Sequence, residues 1–126
     1  MERGRKKPME PRHEGETDNL FDDLIALHHT AFAQRRYNTA YHTLSAALHW
    51  AQEEKDTERL QIATDLARSD LDWIDAHSPE YQHSSRSALL RGHTSIFENL
   101  ERRARMILLM IQREDRYAAV GRIKTS

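Results

Sequence analysis

Tyr37–Ala51, YNTAYHTLSAALHWA, is the stretch that decides the fold. On a helix of about 3.6 residues per turn, Tyr37, Ala40, Tyr41, Leu44, Ala47, Leu48 and Ala51 fall along one stripe. Ala40, Ala47 and Ala51 are small enough to let another helix approach closely, and the larger residues between them fill its grooves. The spacing predicts the inner helix of a helical hairpin, and the remaining chain is placed by what packs on it.

Composition supports that class. The 126 residues suffice for one domain with a core. Hydrophobic residues are 38% and charged residues 31%, the balance of helices with a thin apolar face and a solvated outer one. Four glycines and three prolines are too few for a strand-rich sandwich or barrel. With no cysteine, disulfides, thiol nucleophiles and cysteine-based metal sites are excluded. No apolar run reaches about 18 residues, and the basic N-terminus has no apolar segment after it. The expectation is a cytoplasmic protein without a membrane span.

The first helix is expected to start at Asp18 as N-cap, with Asp22 and Asp23 in the first turn, and to end near Gln34–Arg36. Its stripe is Leu20, Leu24, Leu27 and Ala31, widened by Phe21, His28 and Phe32. Asn38 then caps the second helix, about Thr39 to Glu54, and so short a connection implies antiparallel neighbours. Asp56 or Thr57 caps a third helix to about His77, buried through Leu60, Ala63, Leu66, Ala67, Leu71 and Ile74. Asp70 falls in the middle of that side. A carboxylate facing a core must be paired, and the arginines of the last helix are its expected partners.

Ser78-Pro79 ends the third helix. The last helix is expected from Ser87 to Arg116, with His93, Phe97, Leu100, Ala104, Ile107 and Ile111 at alternating spacings of four and three. Within it Met106–Ile111, MILLMI, is apolar on every side, more than one neighbouring helix can cover. Met106, Leu108, Leu109 and Met110 are therefore the expected interface residues of a homodimer, the alternative being a fully enclosed core segment. Trp50 and Trp73 lie on the flanks of their stripes, where a tryptophan serves as an anchor for a partner. The domain so defined covers residues 17–116, between a basic tail at 1–16 and a C-terminal tail at 117–126 expected to fray.

Tyr37, Ala40, Leu44 and Ala47, with Leu24 and Leu27 on the preceding helix, resemble a tetratricopeptide-type helical hairpin. The resemblance spans about residues 20 to 74 and shows one repeat, with His28 and Ala31 departing from the family pattern. It implies a surface for binding other proteins and no chemistry.

No arrangement of residues specifies a reaction. His49 and Glu53, or His42 and His49, share a helix face, and Glu80-x-x-His83 has a spacing used in di-iron bundles, but that site needs two such motifs and further glutamates. No catalytic, cofactor or metal site is assigned. Ser84, Ser85 and Ser87 read as helix caps, and phosphate-cradling and nucleophile motifs are missing. The net charge of −1 hides acidic residues in the first and third helices and arginines at 102, 103, 105, 113 and 116 in the last. Such faces suit contacts within the molecule or between copies better than a nucleic-acid surface. The reading is an all-α, four-helix domain acting as a non-enzymatic protein–protein interaction module, a small adaptor or regulatory subunit. The alternatives are a histidine-using metal- or small-ligand bundle, and a nucleic-acid-associated regulator using the basic tail and the last helix's arginines.

Overall fold

The structure is a computed structural model and describes residues 19–125. Among the described residues the chain is all-α, with helices α1 (Asn19–Ala33), α2 (Tyr37–Glu53), α3 (Thr57–His77), α4 (Ser85–Leu90) and α5 (Ile96–Thr125). The alanine-rich stripe does what its spacing predicts. Tyr37, Ala40, Leu44, Ala47, Leu48 and Ala51 are all buried, and α2 is enclosed by α1, α3 and α5. Helices α1 and α2 form one antiparallel pair and α3 and α5 another. Lys55 beside Glu114 at one end and Arg68 beside Glu101 further along fix the second direction. A larger core joins Phe21, Leu44, Leu48, Leu60, Leu100, Leu108 and Ile111, and a smaller aromatic one joins Tyr37, Leu71, Ile74 and Phe97.

Three helices end in the same hydrogen-bonded turn. After α1, Arg36 N–H donates to the Ala31 carbonyl and Arg35 N–H to that of Phe32. After α2, Asp56 pairs with Ala51 and Lys55 with Gln52, and after α4, His93 pairs with Ala88 and Gly92 with Leu89. This turn places its penultimate residue in the left-handed region, where glycine fits best. Only the third uses glycine, Gly92 at φ 76°, while Arg35 and Lys55 hold φ 61° and 52° with a side chain attached. Lys55→Gly is therefore expected to raise stability by ~0.5–1 kcal/mol, read as a higher urea midpoint at unchanged slope, because the exposed Lys55–Glu114 pair it removes contributes little.

The expected single last helix is divided. The turn at Gly92 closes α4, Ser95 Oγ accepts from Phe97 N–H to open α5, and His93 sits between the helices, outside the seam assigned to it. At the other end α5 does not stop at Arg116 but continues through residues 117–125, which were expected to fray. At 30 residues it is about 45 Å long against about 31 Å for the 21-residue α3, so its C-terminal part runs past the bundle. The linker between α3 and α4 is pinned to the start of α2. Tyr37 and Ser78 hydroxyls lie 2.8 Å apart, and the Tyr81 hydroxyl donates to Asn38 Oδ1. Burial and the neighbouring Tyr37 push the Tyr81 hydroxyl up to about 12, which keeps it a donor.

The buried face of α1 is turned from the one expected. Of the expected stripe Ala31 is buried and Leu24 packs against the core, but the other enclosed residues are Phe21 and His28, while Leu20 and Leu27 are 50% and 56% exposed. Phe21 stacks toward Trp50, and His28 reaches across to α2 and α3, so aromatic and polar contacts outrank the leucine stripe. Asn38, expected to cap α2, instead accepts from Tyr81, and the residue preceding α2 is Arg36 with no side-chain cap. Asp56 does cap α3, accepting from Arg59 N–H. The basic tail at 1–16 and the Asp18 cap lie outside the described residues.

Candidate interaction surface

The candidate surface is built by α5. Its inward face consists of Phe97, Leu100, Ala104, Leu108 and Ile111, all buried. On the opposite side Met106, Leu109, Met110, Tyr117 and Val120 are 62%, 58%, 55%, 66% and 47% exposed. Met106, Met110, Arg113, Tyr117 and Val120 follow one another at spacings of four, three, four and three, the repeat of a helix-pairing seam. Arg113 lies in its middle, with its guanidinium 5.8 Å from the Tyr117 ring.

Of the six residues read as interface from the sequence, Met106, Leu109 and Met110 lie on this outer face. Leu108 does not. It is 6% exposed and belongs to the core, because its position on the helix is that of Ala104 and Ile111 rather than that of Met110. Tyr117 and Val120 were missed. The signal that finds them is the continuation of the four–three spacing beyond Arg116, where the helix was taken to end.

The two tryptophans are each half-buried and lie apart from that face. Trp50 packs on Phe21, with the Arg59 guanidinium 5.7 Å from its ring. Trp73 stacks with His77 at 4.1 Å, meets the edge of Phe32 and carries the Arg35 guanidinium at 4.5 Å. With Phe32, Leu66, Ser69 and Asp70 it lines a cleft of about 350 Å³ between α1 and α3.

Asp70 is not paired with the last helix. Its Oδ2 lies 2.8 Å from His28 Nε2, and His28 Nδ1 donates to the Ala40 carbonyl at 2.9 Å. Three arginines of α5 have other partners. Arg102 pairs with Glu98, Arg105 with Glu101, and Arg103 reaches Ser45. Glu101, unmarked in the sequence reading, is 5% exposed and bracketed by Arg105 and Arg68 of α3. Helix periodicity puts both the α3 and the α5 carboxylates near the core, but which cation reaches each depends on packing.

The remaining histidines are dispersed. His42 and His49 point outward from α2, and Glu80 and His83 sit in the linker before α4, where no helix aligns them. Burial, Arg91 and His93 hold His83 below the usual histidine value. Among the described residues, no three histidine, aspartate or glutamate side chains gather as a metal site, and no helix is long and apolar enough to cross a membrane. No protein-family model matches the chain, and no curated protein or solved structure resembles it.

Proposed function

We propose that this protein is a non-enzymatic interaction module that self-associates, one copy pairing with another along the outer face of α5. The observation that carries this reading is the opposition of two apolar faces on one helix, of which the bundle covers one. Met106, Leu109, Met110, Tyr117 and Val120 occupy fifteen residues of helix and are each about half exposed or more. Contiguous apolar surface of this kind marks a contact site.

A second copy suits the pattern. The four–three spacing lets the seam pair with its own reverse about a point between Met110 and Arg113. In an antiparallel pairing Met106 meets Tyr117 of the second copy, and Met110 meets the aliphatic stem of its Arg113, whose charged end reaches water. The overhanging turns of α5 gain a neighbour in the same step. A helix end without tertiary contacts is marginal in water, and pairing supplies the contacts. The resemblance of residues 20–74 to a tetratricopeptide-type hairpin suggests the role of such a pair, as an adaptor or regulatory subunit holding a further protein.

The test is light scattering coupled to gel filtration on the wild type, Leu109→Glu and Met110→Glu. The wild type is expected at twice the chain mass, and both variants at the chain mass with unchanged helical circular dichroism, since neither side chain belongs to the core. A monomeric wild type, or variants that stay dimeric, overturns the reading. So does a variant that unfolds without dissociating.

A further inference from the structure

We propose that the His28–Asp70 pair is a protonation-gated latch between α1 and α3, closed while the two side chains share a proton and released when that proton leaves. The geometry is restrictive. His28 is fully enclosed, with a carbonyl at one ring nitrogen and a carboxylate at the other. A carbonyl only accepts, so Nδ1 carries a hydrogen. The 2.8 Å contact between Nε2 and Asp70 Oδ2 then requires a second proton, held by the imidazole or by the carboxyl group. Without it, a nitrogen lone pair faces a carboxylate oxygen at that distance. The contact itself is close but not a regularly aligned hydrogen bond, and neither atom has another partner to compensate. Two buried acceptors in contact repel, and the unpaired carboxylate is costly to keep from water.

The latch has a structural consequence because of where it sits. No tight turn joins α1 to α3. The two touch at the start of α1 through Arg59 over the Phe21 ring, and toward its end through this pair and Phe32 against Trp73, where Asp70 also lines the cleft between them. Losing the proton loosens that seam and opens the cleft, while α1 keeps its contacts with α2.

Charged, titratable or polar groups face the pair from each packed helix. From α1 comes His29, with its ring 5.4 Å from that of His28, and from the following turn comes Arg35, which lies over Trp73. From α2 comes the Ala40 carbonyl, which also accepts from Thr43 Oγ1. On α3, Arg68 and Asp72 are paired with each other, and Arg68 also with Glu101 on the α5 side. Burial works against a charged imidazole most strongly, yet the hydrogen bond and charge of Asp70, with the Ala40 carbonyl, outweigh it and raise His28 above the usual histidine value. For Asp70, burial raises the carboxyl above its usual range, against the opposing contact and charge of His28 and the charge of His29.

A group whose pKa is raised by folding stabilises fully below its unfolded value, and that contribution fades as pH rises through the folded value. Wild-type stability is therefore expected to fall on the alkaline side of about pH 6.5, by up to about tenfold in the folding constant per pH unit. Asp70→Asn reverses the sign. Its amide donates to Nε2 of a neutral His28 while Nδ1 still donates to Ala40, so protonation becomes the costly event and stability falls below about pH 6.5 instead.

Denaturant titrations of both proteins from pH 5 to 9 test this. Opposite slopes, with the α1 amides of the wild type exchanging faster at high pH after correction for intrinsic rates, support the latch. Equal slopes, or a wild type that is flat or gains stability from pH 6 to 9, overturn it. Should Asp70→Asn fail to fold, nuclear magnetic resonance of the wild type decides. Titration of His28 Nε2 or Asp70 Cγ between pH 6 and 10 supports the gate, and its absence rejects it.

Discussion

Phe97→Ala is expected to lower stability by ~3–5 kcal/mol, the range for emptying a well-packed aromatic site. Phe97 is fully buried in the first turn of α5, packed with Tyr37, Leu71 and Ile74, and its ring centre lies 5.8 Å from that of Tyr41. It is also the first large residue after the break at Gly92 to be fully buried, so it sets where α5 docks on α2 and α3. The neighbours are rings and branched chains on two helices, and they cannot collapse together into the space. Urea unfolding at fixed protein concentration checks this, with an unchanged slope showing that the folded state remains compact. A loss under about 1 kcal/mol would mean that the start of α5 is held elsewhere.

His28→Ala should cost a comparable ~3–5 kcal/mol at neutral pH, for a different reason. The change empties volume and leaves Asp70 buried beside no cation, and the second effect dominates. The deficit should shrink as pH falls, because Asp70 escapes the penalty by taking up a proton, and its carboxyl is already raised by burial. His28→Leu with Asp70→Leu removes both polar groups together and should recover most of the loss, since the Ala40 carbonyl retains Thr43 as a donor. A double variant as unstable as the single one would place the cost in lost packing rather than in the stranded charge.

These two sites differ in how far the sequence announced them. Phe97 follows the four–three spacing of the last helix and was assigned to its seam from periodicity. Asp70 was recognised as a carboxylate on a buried face, but its cation was sought in the wrong helix. His28 was placed on the margin of the α1 stripe, and a histidine there gives no sign of which carbonyl or carboxylate it will meet. Burial of a polar residue is a one-helix property, whereas its partner is set by how three helices cross.

The same division separates the two faces of α5. An apolar run such as Met106–Ile111 must exceed what one neighbour covers, and that much is read from the residues alone. Assigning Leu108 to the core and Met110 to the outside depends on the rotation of α5 in the bundle. The start of α3 was legible from its capping side chain, Asp56. The ends of α1 and α2 were also placed close to where they fall, but not the left-handed turns at Arg35 and Lys55 that close them, because neither residue favours that conformation.

By itself the sequence determined that the protein is helical, that α2 is its enclosed element and that α5 carries apolar surface in excess, since helical period and residue size are local properties of the chain. Only the tertiary structure decided that Asp70 pairs with His28, that Leu20 and Leu27 turn outward, and that Leu108 joins the core while Met110 stays outside. Those outcomes depend on distances between segments far apart in the chain, and on the angle at which each helix presents its side chains to the next.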